Sequence, residues 1–286
     1  MIGKTRHKPE IERRFDAKSG QPRGILRATA QSGGSGHIHM RRSPAADLAN
    51  VVDHFWMVSW DLRDQKPFVA ETLPHPNFHL VFEQKNSTIN GVFTGKFSRT
   101  LVGEGIAFGI KFQPGAFRPF LQAPASALRN RSIPAAAIFD QARVCALEAQ
   151  LISQAQDDEK VGAAQAFLRH CLPAYDPEVV EATQLVHLIL ADPSIQTVEH
   201  LASRTNFGRR SLQRLFNEYV GAPPKWVIRR YRLHELVERL HKGESLNFAS
   251  LAQDMGYFDQ AHLIRDFRSI IGCSPARYSK QGAKTA

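Results

Sequence analysis

The chain is expected to be α+β: a β-rich N-terminal domain with a helical extension, followed by an all-α domain of two helix-turn-helix units. Three observations predict this. Short aromatic and β-branched runs bounded by Gly, Pro, Asn or Asp fill residues 44–134, the usual signature of strands. Ala- and Leu-rich sequence with helical spacing follows from Ala135 to Leu172. Beyond Leu172-Pro173-Ala174-Tyr175-Asp176-Pro177, a linker by its prolines, two short helices separated by a tight turn are spelled out twice.

With 286 residues, 43% of them hydrophobic and 22% charged, the chain can bury a sizeable core and hold two domains. Its net charge of +10 is uneven. Residues 1–42 and 181–286 carry the basic excess, and the middle is near neutral. A basic C-terminal half with helix-turn-helix signals suits a polyanion. Cys145, Cys171 and Cys273 are far apart and form no CxxC pair, which argues against a disulfide framework and a zinc finger. No apolar run approaches the ~20 residues that cross a bilayer. No apolar segment follows the basic N-terminus, so a cytoplasmic location is expected.

Residues 1–42, rich in Lys, Arg, Gly and Ser, are expected to be a disordered basic tail. Residues 43–173 would form the N-terminal domain, with strands at Asp53–Trp60, Phe78–Glu83, Gly91–Phe97 and Ile106–Phe112 in a small sandwich or barrel-like sheet. Pro114–Phe117 reads as a turn leading into a short helix to Leu121. Two helices broken near Gln156–Glu159 then complete the domain.

Residues 178–282 form the helical domain. A first helix spans Val179–Ala191. Thr197 caps a helix to Arg204, and Arg209–Tyr219 is the second helix of the first unit, ended by Gly221. Pro223-Pro224 opens a long helix to His241, which Gly243 closes. In the second unit, Phe248–Met255 stops at Gly256, Asp259 caps Gln260–Ile270, Gly272 ends it, and Ser274–Tyr278 adds a short last helix.

The two units are copies. Leu201/Leu251, Ala202/Ala252, Leu212/Leu263, Arg214/Arg265, Phe216/Phe267, Gly221/Gly272 and Pro224/Pro275 match, the later ones offset by one residue. An 18-residue linker helix spans roughly 27 Å at 1.5 Å per residue. Two readers so joined could enter successive major grooves of one duplex, roughly 34 Å apart.

GYFDQAHLIRDF and GCSPARY, together with the duplication, make residues 180–280 resemble the DNA-binding domain of the AraC/XylS transcription-regulator family. The resemblance implies a sequence-specific, double-stranded-DNA-binding transcription regulator without a cofactor. Its base contacts would come from the exposed residues early in each second helix. By position these are Arg210, Gln213 and Arg214 in the first unit, and Gln260, Ala261, Ile264 and Arg265 in the second. Arg suits a guanine edge and Gln an adenine edge, whereas Ala261 and Ile264 can only touch a thymine methyl. The first unit is therefore expected to read more sharply. Arg209, Arg268 and Lys280 are candidates for phosphate contact. His262 is open between DNA and structure. Asp266, which phosphates would repel, is expected to pair with a linker-helix arginine such as Arg230 or Arg232.

The resemblance further implies an N-terminal domain, often a cupin-like barrel, that binds a small-molecule effector or a second copy of the chain. A pure protein-interaction module is the alternative. RNA polymerase would be the partner of an activator; no membrane is implied. LPHPNFHLVFE and GIKFQPGAFRPFL resemble a functionally undefined domain found attached to such DNA-binding halves. His75 and His79 would share a strand face with His54 nearby, but no Cys, Asp or Glu cluster completes a metal site. The aromatics Phe55, Trp56, Trp60, Phe78, Phe82, Phe93, Phe108 and Phe112 could be core or line an apolar pocket. GxSxG, HExxH, a Gly-rich phosphate loop and the zinc-deaminase pattern are all absent from the sequence. A repair alkyltransferase with a similar half would need a Pro-Cys-His setting, which Cys145 and Cys171 lack. No catalytic residue is expected.

Overall fold

The computed structural model describes residues 36–84, 86–154, 156–241 and 247–282. Eight strands occur among them: β1 (Gly36–Arg42), β2 (Val52–Leu62), β3 (Phe68–Thr72), β4 (His79–Glu83), β5 (Thr88–Asn90), β6 (Phe97–Leu101), β7 (Gly103–Phe112) and β8 (Ser132–Pro134). Six form an antiparallel sheet in the order β1-β2-β7-β4-β5-β8, and β3 pairs with β6 as a separate ribbon. Among the described residues the sheet is open at β1 and β8 and does not close into a barrel.

Alternation along the strands sorts the side chains onto two faces. Ile110 lies opposite both Phe55 and Leu80, and Phe108 opposite both Met57 and Phe82, giving one apolar face. Helices α1 (Gln141–Ser153) and α2 (Asp157–Cys171) cover it. Phe167 meets Phe82 edge-on at 6.0 Å, and buried Lys160 brings Nζ to 3.7 Å from Met57 Sδ. These aromatics are core, so the pocket-lining reading does not hold for Phe55, Phe82, Phe108 and Phe112. The other face carries His54, Trp56, His79 and Lys111. Near its edge, Arg99 of the ribbon pairs with Glu83 and lies 5.9 Å over the Trp60 ring.

Two expectations need correction. Residues 36–42, read as part of a disordered tail, form β1 along β2; the rest of that tail lies outside the described residues. Gly91–Phe97 is not a strand. Gly91 N–H donates to the Arg131 carbonyl, the Val92 carbonyl accepts from Asn130 N–H, and Thr94 N–H donates to the Asn130 side chain. The segment spends its hydrogen bonds on a loop instead of a ladder, and strand pairing moves to the flanking β5 and β6.

The helical half comprises α3 (Pro177–Ala191), α4 (Val198–Ser203), α5 (Arg209–Leu215, continued by a π-helical turn at Phe216–Val220), α6 (Pro224–His241), α7 (Phe248–Asp254), α8 (Gln260–Ile271) and α9 (Pro275–Gly282). Side chains cap the starts as the residue types demand. Asp176, Thr197, Asn247 and Asp259 accept from first-turn N–H groups of α3, α4, α7 and α8. Gly221 and Gly272 end the two second helices at φ +86° and +87°. A Cβ is strained in that left-handed region, so glycine is required at both stops. The expected closure at Gly243 lies outside the described residues.

One apolar core runs from the sheet through α1 and α2 into the first unit, where it includes Leu201, Leu212 and Phe216. The second unit has its own core of Leu251, Ala252, Leu263 and Phe267, backed by Leu233, Leu236 and Val237 of α6. Leu73, 1% exposed, joins that second core from the N-terminal half. The β-rich half therefore touches both units.

Candidate nucleic-acid interface

In the first unit α4 buries Leu201 and α5 buries Leu212, Leu215 and, through its π turn, Phe216. Exposed on the outward side are Arg209, Arg210, Ser211, Gln213 and Arg214. Arg209 Nη1 lies 2.9 Å from Glu199 Oε1, so α4 and α5 share an exposed ion pair. Gln213 and Arg214 line an open cleft of about 460 Å³ with Asn217, Pro223, Pro224 and Arg129 of the N-terminal half. Arg129 is placed there by donating Nε–H to the Gly221 carbonyl at 2.7 Å.

The second unit is built the same way. Asp259 accepts from His262 N–H at 2.7 Å, and Leu263, Phe267 and Ile270 face inward. Gln260, Ala261, Arg265 and Arg268 are exposed, while His262 and Ile264 are half-buried. His262 stands edge-on to Tyr257 at 5.2 Å between ring centres, with Nε2 4.0 Å from the Asp266 carboxylate. Its ring is thus engaged within the unit. The side chain of Lys280 lies outside the described residues.

Asp266 is 7% exposed and is paired with Arg229. This corrects the expected partners. Arg232 instead lies 4.1 Å over the Tyr257 ring. Arg230 turns away from the second unit altogether. It is 1% exposed, donates Nε–H to the Pro74 carbonyl at 2.6 Å, and places Nη2 3.1 Å from His75 Nδ1.

That contact belongs to a buried polar layer between the sheet and the helical half. Lys111 Nζ lies 2.8 Å from the Asp53 carboxylate. Trp56 Nε1–H donates to His79 Nδ1 at 3.2 Å. Burial, then the charge of Lys111, pushes the His79 imidazole down to about 3. Burial, then the guanidinium of Arg230, holds His75 well below its ordinary value. Burial pulls Arg230 itself down to about 10. Both imidazoles are therefore neutral, and a neutral ring nitrogen can accept from a guanidinium that can only donate. Among the described residues no group of three or more His, Cys, Asp and Glu is placed to hold a metal ion. None of their helices is long and apolar enough to cross a membrane.

Further bonds fasten the helical half to the N-terminal half. Trp226 Nε1–H donates to the Thr94 carbonyl at 3.0 Å, Thr183 Oγ1–H to the Pro114 carbonyl at 2.7 Å, and Arg118 pairs with Glu218 at 2.6 Å. Sequence reasoning did not find this interface. Its donors are scattered singly, and most of its acceptors are backbone carbonyls that every residue carries.

Comparison with known proteins matches residues 201–281 to a helix-turn-helix domain family and residues 40–134 to a domain of unknown function (DUF6597). A putative AraC-like transcription regulator of Streptomyces antibioticus is 31% identical over 106 residues, 37% of this chain and 34% of that protein. Part of the chain is thus similar to AraC-like regulators. The transcriptional regulator GbdR of Pseudomonas aeruginosa is 28% identical over 131 residues, 46% of this chain and 33% of that protein. The chain thus spans about one third of the length of the curated relatives it matches. Among solved structures, an apo form of ToxT from Vibrio cholerae aligns with a TM-score of 0.42 at 10% identity, over 84% of this chain and 99% of that one. The stretch matched to the helix-turn-helix family contains α5 and α8, joined by α6.

Proposed function

We propose that the chain is a sequence-specific DNA-binding transcription regulator whose α5 and α8 read adjacent major grooves. The observation that carries this is the duplicated, capped helix pair with Arg210, Gln213 and Arg214 on one exposed face and Gln260 and Arg265 on the other. Arg and Gln are the side chains whose donors match guanine and adenine edges. The basic excess of the C-terminal half supplies phosphate attraction. Arg209 and Arg268 serve as phosphate contacts, and the work is binding, not catalysis.

The N-terminal domain is the control element in this reading, binding an effector or a second copy. Its support is the hold that the Pro74–His75 loop and the Thr94 carbonyl keep on α6, the helix that would fix the distance between the readers. Enrichment of sites from a random duplex pool by the full chain tests the function. Two half-sites about 10 base pairs apart are expected. Binding with no enriched sequence would refute the proposal. Thermal shifts with a metabolite panel, beside sedimentation across concentration, separate effector from second copy.

A further inference from the structure

The turn of the second unit is one residue longer than that of the first, and the added residue is Phe258. Gly208 precedes α5 and Asp259 precedes α8, and Leu212 and Leu263 each occupy the fourth helical position. Phe207 sits immediately before Gly208 and packs against the core. Its counterpart in the second unit is Tyr257, buried at 6% exposure, so Phe258 falls between Tyr257 and the cap as an insertion.

An apolar residue just ahead of a helix cap normally staples against the fourth helical residue. Phe258 does not. Leu263 is fully buried, while Phe258 is 91% exposed, the most exposed of the large hydrophobic side chains described. Holding an aromatic ring in water forgoes its burial free energy, and the fold offers no structural return for it. The ring adjoins the start of the second reader, where exposed Ala261 and half-buried Ile264 are the apolar positions and Arg265 and Arg268 supply positive charge. An exposed apolar ring at the start of a helix that carries arginines further on is complementary to a duplex edge that presents methyl groups between phosphates.

We propose that Phe258 is a base-reading residue of the second unit, packing its ring on a thymine 5-methyl group with Ala261 and Ile264 beside it. This rests on the reading of the chain as a DNA-binding regulator. It turns the low polarity of the second reader into a preference: the half-site under α8 is read by thymine methyls, with Gln260 and Arg265 adding the polar contacts.

The test uses the full chain and its F258A and F258L variants on a duplex enriched from a random pool. Thymines of the second half-site are replaced singly by deoxyuridine, which removes only the methyl group. At one position the native chain should lose roughly fourfold in affinity, the worth of one buried methyl. F258A should bind the thymine duplex correspondingly less tightly and be indifferent to deoxyuridine there, while F258L keeps part of the discrimination. Melting temperatures should be unchanged, because the ring stands in solvent. F258A retaining native discrimination overturns the proposal and leaves the DNA-reading function standing. So does equal loss on unrelated DNA, which marks a backbone contact, or Phe258-dependent self-association without DNA. Failure to enrich any sequence would instead bring down the function itself.

Discussion

Arg230, in the middle of α6, hydrogen-bonds the Pro74 carbonyl and a ring nitrogen of His75, and it pairs with no carboxylate among the described residues. The helix that links α5 to α8 is therefore fastened to the β4 side of the N-terminal half by a buried cation held with neutral acceptors. Such an arrangement is costly to desolvate and depends on its acceptors staying in place. Removing it takes away one of the attachments of α6 to the N-terminal half and leaves the Trp226–Thr94 bond in place. Arg230→Met keeps much of the stem but leaves the Pro74 carbonyl without its donor, a loss of roughly 1–3 kcal/mol. Denaturant unfolding of the full chain should show that drop. A variant as stable as the native chain would mean that α6 is held by its apolar contacts and the Trp226–Thr94 bond.

Acid should weaken the same interface. Folding depresses the imidazoles of His75 and His79, whereas their unfolded counterparts titrate near the ordinary value of about 6.5. The folded chain then binds fewer protons below that pH. The stabilisation is complete above pH about 6.5 and is lost as pH falls, by up to roughly 1.4 kcal/mol per unit for each histidine. The surrounding cations Lys111 and Arg230 oppose protonation and Asp53 favours it at His79. Unfolding midpoints at pH 7.5, 6.0 and 5.0 should decline steadily. His75→Gln with His79→Gln should flatten the slope; an unaltered slope would assign the acid loss to other groups.

Within the second unit, Asp266 and Arg229 join α8 to α6 at its buried seam. Asp266→Asn keeps the shape and removes the charge, which should cost roughly 1.5–3 kcal/mol, the worth of a charged hydrogen bond. Affinity should fall for every sequence alike, since Asp266 faces α6 and reads no base. Selected sites with an altered second half-site would contradict that assignment.

The parts legible in the sequence are those with local causes. Caps at Thr197 and Asp259, stops at Gly221 and Gly272, and the repeated Leu201, Leu212 and Phe216 spacing each act within a few residues, so they lay both units out in order. The β-rich half is governed by distant partners. β8 is three residues long and exists because β5, more than forty positions earlier, accepts it. Gly91–Phe97 has strand-like composition but is claimed by the 128–131 loop and by Trp226. Arg229 and Arg230 differ by one position, or about 100° around α6. That rotation sends one to Asp266 and the other to Pro74, and no sequence pattern on α6 alone distinguishes them.

The exposed faces of α5 and α8 differ in polarity, and the difference should be measurable as an asymmetry in base reading. Arg214 is exposed beside Gln213 on α5, and its counterpart Arg265 is exposed beside the less polar Ala261 and Ile264 on α8. Arg214→Ala should cost roughly 1–3 kcal/mol at the enriched site, with relaxed preference at one base pair and little change on unrelated DNA. Arg265→Ala should act the same way by a smaller amount, because on the proposed reading α8 would draw on apolar contacts as well. Titrations at several salt concentrations separate base contact from phosphate contact. A lost phosphate contact lowers the salt slope by about one, whereas a lost base contact leaves it unchanged. Equal losses on all sequences together with a reduced slope would reassign Arg214 to the backbone and move the sharper reading to α8.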